Sequence, residues 1–153
     1  METIRDLTTQ ADRLACVALQ ELTWGAGFNE KAPPSVLLVA QKTGGLAVGA
    51  FAPDGTLVGF VLGFMGVRDG GLVHWAHMIA VVPEARGRGV SQRLMEHLRE
   101  RCRSLGVREI QWSYDPLVAR NAHLDLQRSG ATASEYVLSM YGDSNSTQHG
   151  DMP

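Results

Sequence analysis

The sequence is poor in the features that would settle its class at once. It has two cysteines in 153 residues, Cys16 and Cys102. Each falls on the apolar face of an expected helix, so they read as small core residues and no disulfide framework is expected. Charge of one sign is also lacking. Fourteen Lys and Arg face sixteen Asp and Glu, a net charge of −2. Such a chain is not built to coat nucleic acid or an anionic membrane. No apolar run is long enough to span a bilayer. The first residues, METIRDLTTQADR, contain no apolar segment and do not read as a signal peptide. A reducing cytoplasm fits these observations. The nucleoside-triphosphate signature G-x-x-x-x-G-K-[ST] is absent. A dinucleotide fingerprint fails too, because Gln92 stands where the third glycine belongs.

What is present is the balance of a globular domain: 44% apolar and 20% charged residues. The chain is long enough for one domain with a sizeable core, and it shows no repeat or interdomain linker. TIRDL (3–7) reads as a first strand. A helix follows over 8–24, capped by Thr8 or Thr9, with Leu14, Val17, Ala18 and Leu22 as its apolar face. GAGFNEKAPP is a loop, and SVLLVAQK a second helix closed by Gly44. Two strands around Pro53-Asp54-Gly55 make a hairpin. Gly59, Gly63 and Gly66 in its second strand point to a bulge or a close approach. GLVHWAHMIAVV is a fourth strand. The third helix carries Leu94, Leu98, Cys102 and Leu105 on one face and ends at Gly106. A fifth strand (108–114), a fourth helix (117–130) and a sixth strand (134–141) complete a mixed α/β domain. Its sheet starts antiparallel and gains parallel neighbours around the third helix.

Between the fourth strand and the third helix lies PEARGRG (83–89). A helix N-terminus leaves backbone N–H groups unpaired and carries partial positive charge, so phosphates bind there. Glycine lets a ligand approach the backbone closely. Arg86, Gly87, Arg88, Gly89, Val90 and Ser91 thus present a row of donors beside two guanidiniums. From Glu84 to Arg103 there are six Arg against three Glu. A compact anion, a diphosphate above all, suits the site. The competing reading is a plain turn, with Arg99, Arg101 and Arg103 serving the helix C-terminus.

The stretch HMIAVVPEARGRGVSQRLMEHL resembles the acyl-CoA-binding motif of the GNAT superfamily of N-acyltransferases: a strand, then [RQ]-x-x-G-x-[GA], then a helix. The last motif position here is Ser91. The element order matches too, and SYDPLVARNAHLDLQRSGA is similar to a predicted acetyltransferase family with an Asp-Pro…Asn-Ala segment. The resemblance spans residues 1 to about 142. It implies an α/β (α+β) fold: a mostly antiparallel six-stranded sheet flanked by about four helices, the superfamily's last strand missing. Residues 1–142 form the domain, and 143–153 read as a disordered tail. The missing strand would leave a sixth-strand edge, which implies either a homodimer through that edge or a weakened C-terminal half.

The resemblance further implies acetyl-CoA, or another acyl-CoA, as co-substrate and no metal. The turn would hold the pyrophosphate. Ile79, Ala80 and Val81 would pair with pantetheine as an added strand. The N–H near Val81 would meet the developing oxyanion. Asn121 resembles a cofactor-binding position, or is a helix N-cap. A small-molecule amine, such as an amino acid, would attack the thioester directly. Deprotonating a lysine-like amine at neutral pH costs roughly 4 kcal/mol, an α-amino group only about 1. His77 is the candidate base. Both it and His74, on the opposite face, also admit a structural reading, and strand neighbours of opposite facing do not share an ion. The loop residues Trp24, Phe28 and Glu30 are the candidate acceptor site. The superfamily's usual helix Tyr is replaced by Leu126, leaving Tyr114, Tyr136 or Tyr141 as substitutes. A non-catalytic acyl-CoA-binding module is the alternative function.

Overall fold

A computed structural model describes residues 1–113, 130–138, 140 and 146. Among these, five strands and three α-helices form in the order β1 (Thr3–Asp6), α1 (Gln10–Trp24), α2 (Pro34–Lys42), β2 (Leu46–Phe51), β3 (Leu57–Arg68), β4 (Gly71–Val81), α3 (Val90–Ser104) and β5 (Glu109–Gln111). The strands lie side by side in chain order. The first three pairings are antiparallel, and β4–β5 is parallel. The architecture is the expected mixed α/β fold, with five strands and three helices described rather than six and four. Of the sixth strand expected over 134–141, the described residues 134–138 and 140 belong to no strand. The fourth helix and the tail lie outside the described residues, apart from Gly130 and Ser146.

Helix α1 starts at a capping box. The Thr9 side chain accepts from the Asp12 N–H at 3.0 Å. Asp12 in turn accepts from the Thr8 and Thr9 N–H groups and from Arg5. The helix buries Asp12, Cys16, Leu19 and Gln20. This corrects the expected face, since Leu14 and Leu22 are exposed. The cause is Gln20. Its amide exchanges hydrogen bonds with the backbone of Ala32, accepting at 2.7 Å and donating at 3.1 Å. A polar residue thus turns inward, and a count of apolar positions cannot see that. Pro34 opens α2, as its fixed φ allows.

The sheet is covered on both sides. On one face α1 and α2 pack Cys16, Leu19 and Leu37 against Ala47, Phe60, Leu62, Met78 and Ala80. On the other, α3 packs Val90, Leu94, Leu98 and Cys102 against Leu46, Val48, Ala50 and Val61. Strand β2 is therefore buried at every residue. Its hairpin to β3 turns at Pro53–Gly55, where the Thr56 N–H donates to the Asp54 carboxylate at 3.0 Å.

One irregularity shapes the rest. In the β3–β4 ladder Leu62 faces Met78 but Gly63 faces Ala76. His77 is the extra residue, a β-bulge. The glycine-rich strand does signal the bulge, although the inserted residue sits on its partner. Gly63 is needed there because a Cβ would lie 2.0 Å from Cε1 of His74.

Candidate functional site

The bulge bends β4 just where its outer edge becomes free. Strand β5 pairs only with Val73, His74 and Trp75. Among the described residues no strand pairs with that edge from Ala76 to Val81. The hydrogen-bond phase shows which groups point there. The Val82 N–H donates to the Val58 carbonyl at 2.9 Å. In an antiparallel ladder such pairs recur at every second residue. With the register Phe60↔Ala80 and Val61↔Ile79, Ala80 turns its backbone to β3. Ile79 and Val81 turn theirs to the open edge. Of the three strand residues singled out from the sequence, Ala80 is thus committed to the sheet, and its side chain is buried.

After β4, a short 3-10 turn (Pro83–Ala85) leads into α3. The Arg86 Nε donates to the Val81 carbonyl at 3.1 Å. That bond occupies one polar group of the open edge and fastens the turn to the strand end. It leaves the Val81 N–H facing outward. Gly87 and Gly89 both have φ of 75°, the left-handed region, and Gly89 is the N-cap of α3. Among the described residues no side chain caps this helix. The N–H groups of Val90, Ser91 and Gln92 fall in its first turn, where no intrahelical acceptor exists. The Val90 side chain is buried in the core, so its backbone is the part available to a ligand. The two interleaved glycines therefore let the chain reverse tightly and open a helix with bare donors.

His77, carried by the bulge, lies beside Phe64, with ring centroids 5.4 Å apart. Burial lowers its pKa from the ordinary 6.5, and the nearby Glu30 carboxylate offsets part of that shift. The expected base thus lies within the electrostatic reach of the expected loop carboxylate. Trp24 is half-buried, tilted against Phe28 with ring centroids 5.8 Å apart and edge-on to Phe60 at 6.3 Å. Phe28 is 7% exposed and is part of the core, so of the three candidate acceptor residues Glu30 is the most open to solvent. His74 is fully buried on the α3 side, neither ring nitrogen has a hydrogen-bond partner among the described residues, and burial lowers its pKa. Asn121, Tyr114, Leu126 and Tyr141 lie outside the described residues. Tyr136 is 76% exposed. Among the described residues no three His, Cys, Asp or Glu gather as a metal site, and no helix is long and apolar enough to cross a membrane.

Sequence reasoning missed two members of this region. Phe64 gives no signal beyond an apolar strand position. Glu2 pairs with Arg88 at 2.6 Å and with Arg93, and lies 86 residues from Arg88 in the chain.

A strand with an open edge, running into an uncapped helix through left-handed glycines, matches the strand–turn–helix that the sequence resemblance implies. The family comparison agrees. Residues 14–124 match the Acetyltransferase (GNAT) family, and the chain belongs to that family. No curated protein matches it by sequence. Among solved structures it is similar to a Trypanosoma brucei acetyltransferase (18% identity, TM-score 0.70, 90% of this chain and 97% of that one). It also resembles glucosamine-6-phosphate N-acetyltransferase from Arabidopsis thaliana (14% identity, TM-score 0.72, 94% and 99% covered). A third likeness is to AAC(6')-Iy in complex with the bisubstrate analogue CoA-S-monomethyl-acetylneamine (20% identity, TM-score 0.67, 90% and 95% covered).

Proposed function

We propose that the protein is an acyl-CoA-dependent N-acyltransferase, most simply an N-acetyltransferase, acting on the amine of a small molecule. The observation that carries this reading is the junction of β4 and α3. There an open strand edge at Ile79 and Val81 runs directly into the bare N–H groups of Val90, Ser91 and Gln92. A pantetheine amide chain suits the first, and a diphosphate suits the second. The named neighbours support a small amine as acceptor. One acts on glucosamine 6-phosphate, and another is bound to a CoA-acetylneamine analogue.

The chemistry needs few groups. A neutral amine nitrogen attacks the thioester carbonyl carbon, and a C–N bond forms. The carbonyl oxygen becomes an oxyanion, to which the outward Val81 N–H is placed to donate. Collapse breaks the C–S bond and releases the thiolate. The proton lost by the amine passes to His77 and from there to solvent or to the departing sulfur. Because burial keeps His77 largely neutral near pH 7, it is a base in the required form. Glu30, open to solvent and within electrostatic reach of His77, supplies a carboxylate to attract an ammonium-bearing acceptor.

The test pairs binding with turnover. Acetyl-CoA should raise the melting temperature of the wild-type protein and release thiol when an amine from a panel of amino sugars and amino acids is added. Gly89→Val places a β-branched residue at φ 75° and should abolish both effects. Unchanged turnover in Gly89→Val would remove the mechanism. A second reading, a non-catalytic acyl-CoA-binding module, is favoured by Leu126 at the superfamily's tyrosine position. It requires stabilisation by acetyl-CoA without thiol release for every amine.

A further inference from the structure

Beside the helix N-terminus two arginines share one carboxylate. Glu2, Arg88, Gly89, Gln92 and Arg93 line one cleft of ≈490 Å³ together with Met1. The Glu2 carboxylate binds Arg88 Nη2 at 2.6 Å and Arg93 Nη2. Arg93 Nη1 also donates to the Glu2 carbonyl at 3.1 Å. The Glu2 side chain is 9% exposed, whereas that of Arg88 is 57% and that of Arg93 30% exposed. The carboxylate is the covered partner, and the guanidiniums open onto the cleft. Each guanidinium has five N–H donors, more than one carboxylate uses.

We propose that Glu2 is an internal stand-in anion, which holds the Arg88–Arg93 seat in the unliganded protein and yields it to a phosphate group of the ligand bound at the α3 N-terminus. The inference rests on the thioester-carrier reading for the identity of that ligand, but not for the existence of the seat. Two features separate it from a plain structural pin. Strand β1 is already fastened to α3 farther along, where Arg101 meets Asp6 at 3.2 Å. Glu2 also precedes the β1–β2 ladder, which begins at Thr3↔Phe51, so its side chain can swing away without breaking a strand pair. Retaining the carboxylate keeps two guanidiniums from repelling each other while the seat waits. It also sets a threshold, since a weak monoanion does not displace it and a doubly charged phosphate does.

Calorimetry at low salt tests this with two probes, inorganic pyrophosphate and coenzyme A, on wild type, Glu2→Gln and Asp6→Asn. Each variant removes one negative charge; Glu2→Gln breaks the two ion pairs of the seat, and Asp6→Asn breaks one ion pair away from it. Glu2→Gln should bind pyrophosphate about three- to fivefold more tightly, and Asp6→Asn should match wild type. Equal tightening in both variants would reduce the effect to net charge and overturn the proposal. So would unchanged or weaker binding in Glu2→Gln, or no pyrophosphate binding to any form. If pyrophosphate tightens as expected while coenzyme A binds no form, the seat stands and the thioester reading falls. Should Glu2→Gln not fold, carbon NMR of the Glu2 carboxyl in the wild-type protein decides. Pyrophosphate should move that resonance as the arginines leave it, and an unmoved resonance refutes the displacement.

Discussion

At the scale of single residues, the bulge at His77 does the most for the proposed chemistry. Alternation counted back from Ala80 would send the residue 77 side chain toward α3. The inserted residue turns it instead beside Phe64 and within the influence of Glu30. Its lowered pKa has a definite consequence. A base that must be neutral stays neutral below the ordinary imidazole value of 6.5, so the acid limb of the rate profile should fall below that pH. His77→Gln should lower kcat/KM about 10²-fold for a high-pKa amine and much less for an α-amino acceptor, which is already partly deprotonated. Steady-state rates from pH 5 to 9 with both amines check this. Equal losses for the two would assign His77 a packing role.

At the scale of elements, the start of α1 shows how a helix is tied to a strand. Asp12 closes the capping box and also takes a bidentate contact from Arg5 of β1, at 2.8 and 3.2 Å. Arg5, followed by the Thr8 and Thr9 N–H groups, holds the Asp12 carboxyl well below the usual carboxylate range. Asp12→Ala should cost about 2–3 kcal/mol, an N-cap contribution plus the loss of a charge-assisted pair. Urea unfolding measures it. A loss under 0.5 kcal/mol would mean that water replaces the carboxylate without penalty. Helix α3 depends instead on its apolar face. Leu94 and Leu98 are fully buried, and Leu94→Ala should cost about 2–5 kcal/mol. A thermal melt reads that as a clear drop in Tm, while a cost near zero would show that the α3 face collapses onto the sheet around the gap.

At the scale of the whole molecule, proton linkage through His74 contributes to stability between pH 7 and 5. The folded state holds this ring fully buried, without hydrogen bonds to the described residues and with a pKa below 6.5. The unfolded chain takes up a proton near 6.5, and the folded chain does not. Stability is therefore complete above that value and falls as pH drops from it toward the folded pKa. His77 adds a smaller contribution of the same sign, because it is partly open to solvent. The melting temperature should decline between pH 7 and 5, and His74→Leu should flatten that decline. An unchanged slope in His74→Leu would place the linkage elsewhere.

Local patterns were enough to read much of this protein from its sequence. The strand–turn–helix at 71–104 and the PDG hairpin rest on contacts a few residues apart, which composition and periodicity report. The interleaved glycines of 86–91 are legible for the same reason, since a left-handed turn depends on its own residues. Three things were decided only by the tertiary structure. Gln20 finds Ala32 and turns α1, so Leu14 and Leu22 face solvent. The bulge at His77 shifts the β3–β4 register beside Gly63 and the buried His74 ring. Glu2 meets Arg88 and Arg93 because β1 lies along α3. Each depends on groups brought together by packing, and neither spacing nor propensity carries that information.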